Sequence, residues 1–169
     1  MKKVLTVVLI LVIIASLSAC ANSRESSPES KNTYEFEGVI VTIPDDFSVV
    51  EDGTTTIARP DSYPDKTDNI NFAKAGKDSA DNYDKKSLEE NYKSVLSGFT
   101  GISRFERKSI DGNDSIVITY GVKYEEFQMI QSSVFIFLED KSVIITYASV
   151  SGSYDDEFES SIENIAVVK

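Results

Sequence analysis

Few residues in this chain have side chains suited to chemistry. Its 169 residues include one cysteine, Cys20, and no histidine. That removes the commonest general base, the Ser-His-Asp relay and most transition-metal sites together. No serine is followed three positions on by lysine, no G-x-S-x-G elbow occurs, and no glycine-rich phosphate loop is present. Carboxylates remain. Asp61, Asp65 and Asp68 share one loop, Asp111, Asn113 and Asp114 a turn, and Asp155, Asp156 and Glu157 a helix start. A calcium loop needs alternating ligands, a glycine at its sixth position and a glutamate at its twelfth. Counted from Asp111 those positions are Ile116 and Val122, so the match fails. Weak calcium binding at the Asp61 loop stands beside the simpler reading of solvated acids. Hydrolysis of a glycoside needs two carboxylates set across the scissile bond, and no pair is singled out here. Tyr63, Tyr83 and Tyr154 fall at loop or helix-start positions, where tyrosine commonly meets a partner. Tyr63, held between Pro60 and Pro64, is the first of these.

What must position Cys20 is the segment before it. Met1-Lys2-Lys3 is a short cationic start, and "VLTVVLILVIIASLSA" from Val4 to Ala19 is an apolar core fading into small residues. These are the parts of an export signal; a bilayer span needs about 20 apolar residues. Leu17-Ser18-Ala19-Cys20 resembles the lipobox of bacterial lipoproteins. The resemblance implies cleavage before Cys20 and two or three acyl chains on it. Two chains give stable anchoring where one is marginal. Residues 1–19 are thus expected to be the signal, and 20–33 the lipidated cysteine with a flexible linker. "ANSRESSPESKNT" is Ser-rich with no large apolar residue, and as a coil it spans about 20 Å.

Loss of Lys2 and Lys3 with the signal leaves 15 basic against 28 acidic residues in 150, a net charge of −13. Such a surface repels phosphate backbones and anionic head groups, which excludes nucleic acid as the expected partner. With no second cysteine, stability must come from packing in one domain, residues 34–169.

From Tyr34 the apolar residues alternate. Tyr34 and Phe36, then Val39, Val41 and Ile43, flank Gly38 as a turn or bulge. "FSVVED" and "TTTIAR" around Asp52-Gly53 predict a hairpin with a tight primed turn. "NINFAK" presents Ile70 and Phe72 to one face. Ser87-Leu88-Glu89-Glu90 reads as a capping box opening a helix, though the helix has room to begin nearer Ser79. Leu88, Tyr92, Val95, Leu96 and Phe99 form its stripe and Gly98 its stop. After "GISRFERKSI" and the Asp111-Gly112 turn comes "SIVITYGVKYEEF". "SVFIFLED" and "SVIITYASV" are apolar on both faces, as central strands are. A last helix, capped near Ser153, carries Tyr154, Phe158, Ile162 and Ile165. Hairpin-linked strands with two helices make the class α+β with an antiparallel sheet. Leu88, Val95, Leu96, Ile118, Phe135, Phe137, Ile145, Phe158 and Ile162 are expected in one core.

The early "VTIPDDF", the capped mid-chain helix, the hairpin-linked strands and the closing "FESSIENI" helix resemble the PsbP-like fold, shared by DcrB-type lipoproteins. The resemblance implies a central antiparallel sheet with helices packed on its faces, an α/β/α sandwich, in proteins that mostly bind or support others. The expectation is a monomeric, non-enzymatic module without cofactor. It is lipid-anchored on the extracytoplasmic face of the cell membrane and engages another envelope or surface protein. The alternatives are a small-ligand-binding lipoprotein and a carboxylate-based hydrolase.

Overall fold

The computed structural model describes residues 33–168, apart from 54, 66, 125 and 126. The export segment, Cys20 and the linker up to residue 32 lie outside the described residues.

Two sheets organise the chain. β1 (Thr33–Phe36) and β2 (Val39–Thr42) pair across Glu37-Gly38, and β10 (Ala166–Val167) joins β2 on its other side. Glu37 and Gly38 have φ of 54° and 85°, the left-handed pair that matches strand twist in a two-residue hairpin. The larger sheet runs β3-β4-β5-β9-β8-β7-β6, every neighbour antiparallel. Its strands are β3 (Phe47–Glu51), β4 (Thr56–Pro60), β5 (Asn69–Gly76), β6 (Phe99–Ile110), β7 (Asn113–Lys123), β8 (Gln128–Phe137) and β9 (Lys141–Ser149). The two doubly apolar strands, β8 and β9, lie inside it as their composition requires. The β3–β4 turn is tight as expected but sits one residue later than the Asp52-Gly53 reading, since Glu51 pairs with Thr56 and the Asp52 N–H donates to the Thr55 carbonyl.

Helix α1 (Lys85–Val95) starts earlier than the capping-box reading placed it. Asp84 is its N-cap, and its carboxylate accepts from both the Ser87 N–H and the Ser87 hydroxyl. An ionised acceptor at this position outcompetes a hydroxyl one turn on. Helix α2 (Asp155–Glu163) follows Tyr154, one residue past the expected cap, with Asp155, Asp156 and Glu157 in its first turn, where the helix dipole favours acid.

The expected single core is two, divided by the sheet. Strand alternation sends Val134, Ile136, Val143 and Ile145 to one side, where they pack with Phe158 and Ile162 of α2 and with Val39 and Val41 of the small sheet. Phe135, Phe137, Ile144, Ile116 and Ile118 face the other side, against Leu88, Tyr92 and Leu96. One face thus carries a helix alone and the other a helix plus three strands. The molecule is more sheet-rich than a plain α/β/α sandwich. Val95, expected in the core, is exposed. It is the last residue of α1, and Leu96 turns inward from an extended backbone, so the helical period stops one residue before the stripe does.

Candidate functional site

The acidic clusters do not converge. Asp61 accepts from the Ser48 hydroxyl. Asp68 is fully buried and spent on the loop after β9, accepting from the N–H groups of Val150 (3.0 Å) and Ser151 (3.1 Å) and from the Ser151 hydroxyl (2.8 Å). Asp111 accepts from the Val167 N–H, tying the β6–β7 turn to β10. Among the described residues no three acidic side chains gather as a metal site needs. Asp156 and Glu157 do share a hollow of about 580 Å³ with Asp45, Asp46 and Tyr154.

The three tyrosines part company as well. Tyr83 is buried and donates to Asp78, and Tyr154 is buried and donates to Asp46. Burial, and then the Asp78 hydrogen bond, push the Tyr83 hydroxyl well above its ordinary range. Burial raises Tyr92, Tyr120 and Tyr147 likewise, so these hydroxyls stay protonated and act as hydrogen-bonding groups. Tyr63 is exposed, but its ring lies under the Arg59 guanidinium at 4.3 Å.

A different surface gathers the exposed apolar groups. Register places Val122 opposite Phe99, Lys123 opposite Gln128 and Ile130 opposite Ser149, all at one end of the large sheet. Tyr124 and Phe127 flank the β7–β8 turn there, their rings stacked at 4.8 Å and exposed by 41% and 47%. Ile130 is exposed beside them on the α2 side. Val95 belongs to the same end, because Gly98, three residues on, bonds backbone to backbone with Lys123. Four of the six large hydrophobics exposed among the described residues therefore sit at this end. The sequence signalled it weakly: Val95 read as core, and Tyr124 stands in line with the alternating Ile116, Ile118, Tyr120 and Val122. What the alternation could not show is that the strand stops at Lys123.

Ile130 also lines the mouth of a groove of about 340 Å³ between α2 and strands β6 to β9. Its lining is rich in hydroxyls, with Ser103, Thr119, Ser132 and Ser149 on the strands and Asp155 and Glu159 on the helix. Each of these groups is engaged within the protein or beside it. Thr119 bonds Ser132, Ser149 donates to Asp155, and Arg104 spans Glu106 (2.7 Å) and Glu159 (2.6 Å).

No protein-family model and no curated protein sequence matches the chain. Solved structures do resemble its fold. The cyanobacterial PsbP protein CyanoP from Synechocystis sp. PCC 6803 aligns with a TM-score of 0.60 at 12% identity, over 89% of this chain and 98% of that one. A Bacteroides thetaiotaomicron protein aligns at 0.54 and 14% identity, over 83% of this chain and half of its own. LpqN of Mycobacterium tuberculosis, described as involved in cell envelope biogenesis, aligns at 0.50 and 10% identity over 78% and 83%. At such identities the likeness is one of fold, and the fold is PsbP-like.

Proposed function

We propose that this protein is a lipid-anchored, extracytoplasmic accessory module that engages another envelope protein and carries out no catalysis. One observation carries the reading: exposed Val95, Tyr124, Phe127 and Ile130 gather at one end of the sheet, around a stacked aromatic pair. Exposed apolar side chains scattered singly are ordinary, whereas an exposed pair packed ring on ring, with two more apolar groups at the same end, marks a contact site. Aromatic residues are also what protein interfaces select. The likeness of fold to LpqN and CyanoP supports an accessory role, and the export signal ending in Leu17-Ser18-Ala19-Cys20 supports the anchor. Among the described residues no helix is long and apolar enough to cross a membrane, and the tether proposed here is Cys20.

The test is a photo-crosslinking residue placed at Phe127 in intact cells, with a second at exposed Tyr63 as control. A discrete protein adduct from position 127 and not from 63 is the expected result. Adducts to lipid alone, together with turnover of a glycan or ester by the purified protein, would sink the reading.

A further inference from the structure

The face of the large sheet that carries α1 is apolar over only part of its length. Next to the row Ala73, Ile144, Phe135 and Ile116 comes a row of different character. Register sets Ile57, Asn71, Thr146, Ser133 and Ile118 side by side across five strands. One step further along the strands lie Asn69, Ala148, Gln131 and Tyr120. Asn69, Asn71, Gln131, Ser133 and Thr146 are all buried. A sheet interior has no packing reason for two asparagines and a glutamine together, since buried amides cost free energy unless every donor and acceptor is met.

They are not all met. The Asn71 amide donates to Asn69, which in turn donates to the Thr67 carbonyl, and Ser133 bonds Thr146. Asn71 is 4% exposed, yet its Oδ1 has no hydrogen-bond partner among the described residues. The same holds for Arg59 Nη1. Arg59 lies on the same face of β4, diagonal to Asn71, where backbone positions in adjacent strands are about 7–8 Å apart. Its guanidinium rests on Tyr63, at the exposed rim where the β4–β5 loop begins. An orphaned cationic donor and an orphaned neutral acceptor thus belong to diagonal neighbours on one face of the sheet. No Asp or Glu occupies this face of β5, β8 or β9, and Asp61, two residues beyond Arg59, is engaged by Ser48, the cross-strand neighbour of Arg59. The patch offers one unmet cationic donor, at Arg59, and one unmet acceptor, at Asn71.

We infer that the Arg59–Asn71 patch is a binding site for a small hydroxylated carboxylate of sugar-acid size. The carboxylate pairs with Arg59, a hydroxyl donates to Asn71 Oδ1, and the Arg59–Tyr63 stack at the rim swings to admit it. This site is separate from the apolar end at Tyr124 and Phe127 and does not depend on it.

The side-chain amide resonances of Asn69, Asn71 and Gln131 report on it directly. Full-length protein in detergent micelles is titrated with glucuronate and, in parallel, with glucose. Saturable shifts of the three amides with glucuronate are expected, with glucose weaker by roughly tenfold or more, as the loss of a charge-assisted hydrogen bond implies. Arg59→Gln should bring glucuronate down to the level of glucose. Unmoved amides, or equal responses to both sugars that survive Arg59→Gln, overturn the inference. So does Asn71→Leu if it raises Tm while glucuronate still binds at the remaining amides, because the orphaned oxygen is then only a packing defect.

Discussion

Asp68 shows how a residue that looks like a ligand is consumed by structure. Its carboxylate satisfies two backbone N–H groups and a hydroxyl of the loop after β9, more than eighty positions away. Asp68→Ala should orphan both N–H groups at about 1–3 kcal/mol each, read as a fall in the urea midpoint at unchanged slope. Glu37 works at the surface instead. Its carboxylate meets Lys141 and Lys74, which hold its pKa below the ordinary glutamate range. A carboxyl depressed in the folded state adds stability above its unfolded pKa and loses it as pH falls through the folded one. The Tm gap between the protein and Glu37→Gln should therefore be fully open at neutral pH and close under acid. Gly98 is fixed by geometry: its φ is +85°, and an added Cβ would stand 2.1 Å from the Lys123 carbonyl oxygen, a backbone atom with little room to yield. Gly98→Ala should lower Tm and disturb the amide resonances of both Lys123 and Tyr124. None of these three roles is written in local sequence, because each depends on a partner brought close by the fold.

Helices and strands were easier to read than their ends. Alternation identified β7, continuous apolar character β8 and β9, and a helical stripe the inward set of α2, because burial on one face of a pleated sheet has a period of two, burial on both faces none, and burial on a helix about 3.6. The caps and the last turns were misplaced, since Asp84 and Ser87 are both good N-cap residues three positions apart and only geometry decides which opens the helix. Two substitutions in α1 separate the stripe from its imitation. Leu88→Ala empties a site 2% exposed and should cost about 2–5 kcal/mol. Val95→Ala should stay within about 0.5 kcal/mol while weakening the proposed partner contact in a pull-down. The polar row through Asn71 stayed hidden for a related reason. "NINFAK" alternates properly with Ile70 and Phe72 inward, and the residues between them read as solvent-facing until β9 and β8 are placed beside them.

Anchor, domain and fold class were read from the chain as a unit, and the anchor has its own test. Cys20→Ala should release the protein from membranes or leave its precursor uncleaved, judged by fractionation and gel mobility. The seven-stranded sheet adds something no single strand announces, because β6 stands at its border with twelve residues and one unpaired side. A border that long is a template for other chains, and here it is blunted. Its pairing with β7 slips twice, between Phe99 and Gly101 and between Ile102 and Arg104, and Arg104, Glu106, Arg107 and Lys108 follow along it. Irregular pairing twists a strand away from a flat template, and charge penalises the next copy. Replacing Arg104, Glu106, Arg107 and Lys108 with threonine should leave the monomer folded but let it polymerise, seen as thioflavin-positive fibrils at high concentration. Were copies brought close together by the proposed anchor at Cys20, this margin would keep one sheet from being continued by the next.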